Sequence, residues 1–186
     1  MPKDGVYLTF DDGPHSKATP EILKVLQTET VRATFFLTGQ NIEGQEGLVR
    51  EIAGEGHTLG NHGFQHSRLP AFSRQSAESE ILRTDQILST ITPTQKKFFR
   101  PPHGFFTWNT VAAAKSLGYQ IVMWTTLTGD FRGWSNSRVV ATALQKLTEG
   151  SILVFHDNQQ TAGRIGPVVS ECIQRIREAG YRFQTV

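Results

Sequence analysis

VYLTFDDGPHSKATPEILKVLQ, Val6 to Gln27, decides the fold. Its first five residues are an apolar run rich in β-branched and aromatic types, the signature of a buried strand. Asp-Asp-Gly-Pro then breaks the run, since these residue types favour tight turns. Thr19 is placed as a helix cap with Pro20 at the first helical position, and apolar residues at helical spacing follow. The stretch is therefore one strand followed by one helix. The same rhythm continues through strand-like runs at 33–37, 57–61, 97–100, 119–124, 151–155 and 181–184, making about seven strands. Helical patterns separate them: EGLVREIAG, RQSAESEILRTDQIL, NTVAAAKSLG, SRVVATALQKL and GPVVSECIQRIREAG, with Gly54, Gly118 and Gly180 expected at helix C-caps. No repeat, low-complexity tract or linker interrupts the pattern, so residues 1–186 are read as a single domain. Alternating units of this length imply an α/β fold with a parallel sheet, open or closed into a barrel.

The bulk properties exclude several classes of partner. The formal charge is +2 with dispersed basic residues, which disfavours nucleic acid or an anionic membrane surface. Cys172 is the single cysteine and lies at helical spacing from Val168, Val169 and Ile176, so a core position is expected and no intrachain disulfide is possible. The stretch MPKDGVYLTF lacks the pattern of an export leader, and no segment reaches the roughly 18 apolar residues of a membrane span. As written the chain is expected in the cytoplasm, export requiring a leader already removed.

The polar residues that interrupt this pattern fall at one place. Asp11 and Asp12 follow the first strand, His62 and His66 the third and Arg100 ends the fourth. Asp130 lies beyond the fifth, and His156 with Asp157 ends the sixth. Carboxyl ends of parallel strands share one rim, where reactive groups converge. Two adjacent carboxylates repel and cost desolvation unless a cation or hydrogen bonds compensate. His62 and His66, four apart, suit a divalent transition metal if they lie on a helical turn. One Asp with two His leaves open coordination positions, as in catalytic rather than structural sites. The second Asp is then free to take a proton from water. Arg100 can hold a carboxylate ionised, and His156 paired with Asp130 can serve as a general acid.

TFDDGP (9–14), HGFQH (62–66), RPPHG (100–104), GDF (129–131) and ILVFHD (152–157) occur in the order of five motifs of the polysaccharide deacetylases of carbohydrate esterase family 4, the NodB homology domain, which this chain resembles over nearly its whole length. The resemblance implies a distorted (β/α) barrel. It further implies Asp11 as base, Asp12, His62 and His66 as ligands of one divalent transition metal, zinc first with cobalt, nickel or manganese as alternatives, and Arg100 orienting Asp11. Asp130 would pair with His156, and His156 would protonate the leaving amine. The implied reaction is removal of acetyl groups from N-acetylated, or in some members O-acetylated, carbohydrate by attack of a metal-bound water. The partner is accordingly an acetylated carbohydrate.

Gly63, His103, Leu127 and Phe131 depart from the usual family pattern, Gly63 by removing a hydroxyl that would brace the loop. His103, Gly104, Phe131 and Leu153 are expected to touch substrate, with Leu127 beside them. Phe105, Phe106, Trp108 and Trp134 lie in rim loops where they could stack on sugars. Trp124 is expected in the core, His15 facing solvent, and His57 at the start of a strand away from the site. Alternatives are a weak or inactive carbohydrate-binding pseudoenzyme of the same fold, a 2-His-1-carboxylate iron oxygenase, and a phosphatase with a strand-end Asp nucleophile.

Overall fold

The computed structural model describes residues 5–68, 72–92 and 96–186; the first four residues of the stretch read for a leader lie outside them. Strands β1 (Val6–Asp11), β2 (Thr34–Leu37), β3 (Thr58–Asn61), β4 (Phe98–Phe99), β5 (Gln120–Ile121), β6 (Thr126–Leu127) and β7 (Ile152–His156) form one path in the order β5-β4-β3-β2-β1-β7-β6. An eighth short strand, β8 (Phe183–Gln184), pairs with the start of β1. All pairings are parallel. Among the described residues the path ends at β5 and β6 without joining them, so the sheet is a curled half-barrel. Helices α1 (Ala18–Thr28), α2 (Gly39–Ile42), α3 (Glu46–Gly54), α4 (Arg74–Ile91), α5 (Trp108–Ser116), α6 (Asn136–Leu144) and α7 (Ile165–Glu178) make the crossovers. None is long and apolar enough to cross a membrane.

Side-chain alternation along β1 and β7 sets the two faces of the sheet. Val6, Leu8, Phe10, Leu153 and Phe155 join the main core with residues of α1 and α7, including Cys172. Burial pushes the Cys172 thiol up to about 12. Tyr7, Thr9 and Asp11, with Ile152, Val154 and His156, take the opposite, concave face. Leu153 is thus one residue out of phase with that face. It is fully buried in the core, which corrects its expected contact with substrate.

Three local readings also change. The strand expected over 119–124 stops at Ile121, because the Val122 and Met123 carbonyls accept hydrogen bonds from Arg100 Nε (3.0 Å) and Nη2 (3.3 Å). The chain then crosses to the far end of the sheet and pairs as β6 with β7. Helix α1 starts before Thr19, with Lys17 at its N-cap; His15 Nδ1 accepts from the amides of Lys17 (3.3 Å) and Ala18 (3.2 Å) and Thr19 Oγ1 accepts from the His15 amide at 2.8 Å, so this ring is not simply solvent-facing. At the end of α3 the left-handed residue is Gly56, φ +81°, rather than Gly54.

Candidate active site

β1 ends on Asp11 and passes directly into Asp12, whose φ of +80° turns its side chain onto the rim beside Asp11. Asp11 Oδ1 lies 2.6 Å from Arg100 Nη1, which also donates to Thr9 Oγ1 at 2.7 Å. With its bonds to Val122 and Met123, the guanidinium is tied on three sides, and it lies over the Phe36 ring, 4.0 Å from its centroid. Arg100 has no exposed surface. Burial pulls its pKa down, opposed by the charge of Asp11. A buried cation so fully bonded is a fixed partner for one carboxylate oxygen.

Asp12 Oδ1, His62 Nε2 and His66 Nε2 converge within 4.8 Å of one another. Asp12 Oδ1 is 2.9 Å from His66 Nε2 and 3.6 Å from His62 Nε2, yet no aligned hydrogen bond satisfies this buried oxygen. His62 Nδ1 lies 2.7 Å from the Arg100 carbonyl oxygen. That acceptor places the proton on Nδ1 and leaves the Nε2 lone pair aimed at Asp12, the arrangement of a metal-ligating imidazole. Burial alone would raise the Asp12 pKa, but the facing imidazoles of His62 and His66 and the charge of His156 outweigh it and hold the carboxyl far below the usual range. An unsatisfied oxygen facing two imidazole nitrogens, one oriented from behind, fits a divalent transition metal with open positions.

The two histidines do not sit on a helical turn as their spacing suggested. Gly63 (φ +77°) and His66 (φ +53°) bend the loop back on itself, bringing the rings to 5.1 Å between centroids. The bracing hydroxyl absent at Gly63 is replaced by neighbours: Glu80 Oε2 accepts from the amides of Phe64 and Gln65, both at 2.8 Å, and Asn61 Oδ1 accepts from that of Gly63 at 2.9 Å.

His156, aligned with Asp11 in the β1–β7 register, holds the opposite wall. Its Nδ1 is 2.8 Å from Asp130 Oδ1, and its backbone amide donates to Asp130 Oδ2 at 2.7 Å. Burial alone would lower the His156 pKa, but hydrogen bonding to Asp130 and its charge reverse this and raise it to about 9. His156 is therefore an imidazolium at neutral pH with Nε2 left for the cavity.

These groups line a cavity of about 480 Å³ walled by His103, Gly104, Trp124, Leu127 and Phe131. Gly104 has φ +66°, and a Cβ there would lie 2.3 Å from the Trp124 ring, so only glycine admits both turn and ring. Trp124 is thus a wall residue, freed by the early end of β5. His103 packs 4.4 Å from His66 between ring centroids. His57 lies buried at the amino end of β3, away from the cavity, with burial and then Arg32 lowering its pKa to about 4.

Sequence reasoning missed one support and left another without a role. Asn158 Nδ2 donates to Asp12 Oδ2 at 2.7 Å and so turns Oδ1 toward the histidines. Asp157, wholly buried, accepts from Thr19 Oγ1 at 2.6 Å, and a Cβ on Gly13 would sit 2.0 Å from its Oδ2. Its carboxyl, pushed well above the usual value by burial, underlies the Asp-Gly-Pro turn. Asp157 was already placed on the rim with His156; for Asn158, two residues after His156, that nearness was the one available signal.

The family model described as polysaccharide deacetylase matches residues 1–122. A peptidoglycan-N-acetylglucosamine deacetylase of Bacillus cereus is 34% identical over 186 residues, 99% of this chain and 67% of the relative. The peptidoglycan-N-acetylglucosamine deacetylase PgdA of Listeria monocytogenes is 31% identical over 181 residues, and the match covers 97% of this chain but 38% of that protein. Among solved structures, the Bc1960 peptidoglycan N-acetylglucosamine deacetylase in complex with 4-naphthalen-1-yl-N-oxidanyl-benzamide superposes with a TM-score of 0.93 at 33% identity, covering 98% of this chain and 86% of that one.

Proposed function

The chain belongs to the polysaccharide deacetylase family, and from that premise we propose that it is a metal-dependent hydrolase that removes acetyl groups from N-acetylglucosamine units of a peptidoglycan-like glycan. The observation that carries the reading is the division of labour between adjacent carboxylates: Asp11 is bound to Arg100, while Asp12 Oδ1 faces His62 and His66 with no hydrogen bond of its own.

Asp12, His62 and His66 would hold a divalent transition metal, zinc, cobalt, nickel or manganese, whose chemistry when bound is to polarise an acyl carbonyl and acidify water. Asp11 takes the proton of the attacking water through Oδ2, because Oδ1 is engaged by Arg100. Arg100 keeps the base aligned. His156, charged at neutral pH, gives its Nε2 proton to the departing nitrogen, which an amide requires far more than an ester does. Asp130 holds Nδ1–H and so presents Nε2. The amides of Gly104 and Phe105 are bonded to the carbonyls of Pro101 and Pro102, so neither is available to a developing oxyanion.

The test is acetate release from N-acetylglucosamine oligomers and peptidoglycan fragments by metal-stripped protein, with and without added zinc or cobalt. Release restored by metal and abolished by Asp11→Asn is expected. Release that is indifferent to both changes overturns the reading.

A further inference from the structure

Among the described residues five large hydrophobic side chains are exposed, and four of them, Phe72, Phe105, Phe106 and Trp108, come from two segments, 72 and 105–108. Phe105 follows Gly104, a wall of the cavity. The Phe72 and Phe105 rings lie 5.5 Å apart at 44°, and Asn109 Nδ2 donates to the Phe72 carbonyl at 3.0 Å, tying the two segments together. Local folding does not account for these rings. Helix α5 is started by Thr107, whose side chain and that of Thr110 form a capping box, and it packs inward through Thr110, Ala113 and Ala114. Trp108 contributes to neither and is 88% exposed. Exposed aromatic rings brought together from two segments and left without a packing role point to a binding surface.

We propose that this aromatic shelf is a second sugar subsite, which binds the units of a glycan chain that continue outward past His103 and Gly104 from the unit held in the cavity; the proposal rests on the carbohydrate reading above. Aromatic rings present flat apolar faces that match the C–H faces of pyranoses, while the hydroxyl edges stay in water. Phe105 to Asn109 includes no charged residue, so this segment meets a sugar through ring faces rather than ion pairs. Continuity with the cavity favours the same polymer over a separate partner.

The test compares Trp108→Ala and Phe72→Ala with the native protein on β-1,4-linked N-acetylglucosamine dimer and hexamer. Hexamer kcat/KM is expected to fall roughly tenfold for Trp108→Ala, as one lost aromatic contact implies, with the dimer changed less than about twofold. Calorimetric titration of hexamer into an Asp11→Asn background, with and without Trp108→Ala, reads the shelf without turnover and should show the same tenfold loss. Equal losses on dimer and hexamer, or unchanged hexamer affinity, overturn the shelf while leaving the deacetylase reading intact. Absence of acetate release from either oligomer defeats that reading instead, and calorimetry then decides the shelf alone. A native dimer that becomes monomeric in Trp108→Ala also overturns the proposal, because the patch is then a protein interface.

Discussion

Replacing Asp130 by Asn removes the charge that keeps His156 protonated while changing side-chain volume little. The His156 pKa of about 9 stands against an ordinary 6.5, a gap worth roughly 3 kcal/mol at about 1.4 kcal/mol per unit. Without the carboxylate the pKa falls, since burial favours the neutral ring and only the charges of Asp11 and Asp12 still oppose it. A full return to the ordinary 6.5 takes the protonated fraction at pH 8 from about nine-tenths to about three-hundredths, roughly thirtyfold. A cation held by Asp12, His62 and His66 offsets the pull of Asp11 and Asp12 on His156. The value is therefore read by NMR titration of the metal-free protein, and the loaded enzyme reads the direction. The assay is kcat/KM against pH on an N-acetylated oligomer and on an O-acetyl ester. The alkaline limb should move to lower pH for the amide, with a smaller loss for the ester. The same shift acts on stability. With the folded pKa raised, the ion pair contributes fully below pH 6.5 and its contribution fades as pH rises through about 9. The melting difference between native and variant should therefore shrink above that pH. An unmoved alkaline limb, or equal losses on amide and ester, refutes His156 as the acid set by Asp130.

Asn158→Ala should weaken zinc binding by about 10- to 100-fold, because it releases the Asp12 oxygen that Asn158 now holds; competition with a chromogenic chelator measures this. Gly13→Ala, whose Cβ would meet Asp157 Oδ2 at 2.0 Å, should destabilise the fold by roughly 1–3 kcal/mol in urea unfolding and reduce acetate release further by displacing the Asp11–Asp12 turn.

Much of the site was legible before any coordinates. Asp11, Asp12, His62, His66, Arg100 and His156 stand at strand ends because a parallel sheet places its carboxyl termini on one rim, and hydrophobic runs locate those termini. Asp130, reached through a loop, joined them by the chemistry His156 required. The alternation that placed Thr9 and Asp11 together also held the clue that Leu153 could not reach substrate, since it is one residue out of step with His156.

The sequence by itself determined the βα order and the identity of the reactive groups, because both follow from residue type and from periods of two and about 3.6 residues. Only the tertiary structure decided which atoms meet. The convergence of His62 and His66 comes from left-handed turns at Gly63 and His66, not from helical spacing. Trp124 became a cavity wall because Arg100, from a neighbouring strand end, takes the carbonyls that would have continued β5. Asn158 aims Asp12 across 146 residues of chain. Positive φ values and bonds between distant residues leave no periodic trace in sequence, so their consequences emerge only when the strands pair.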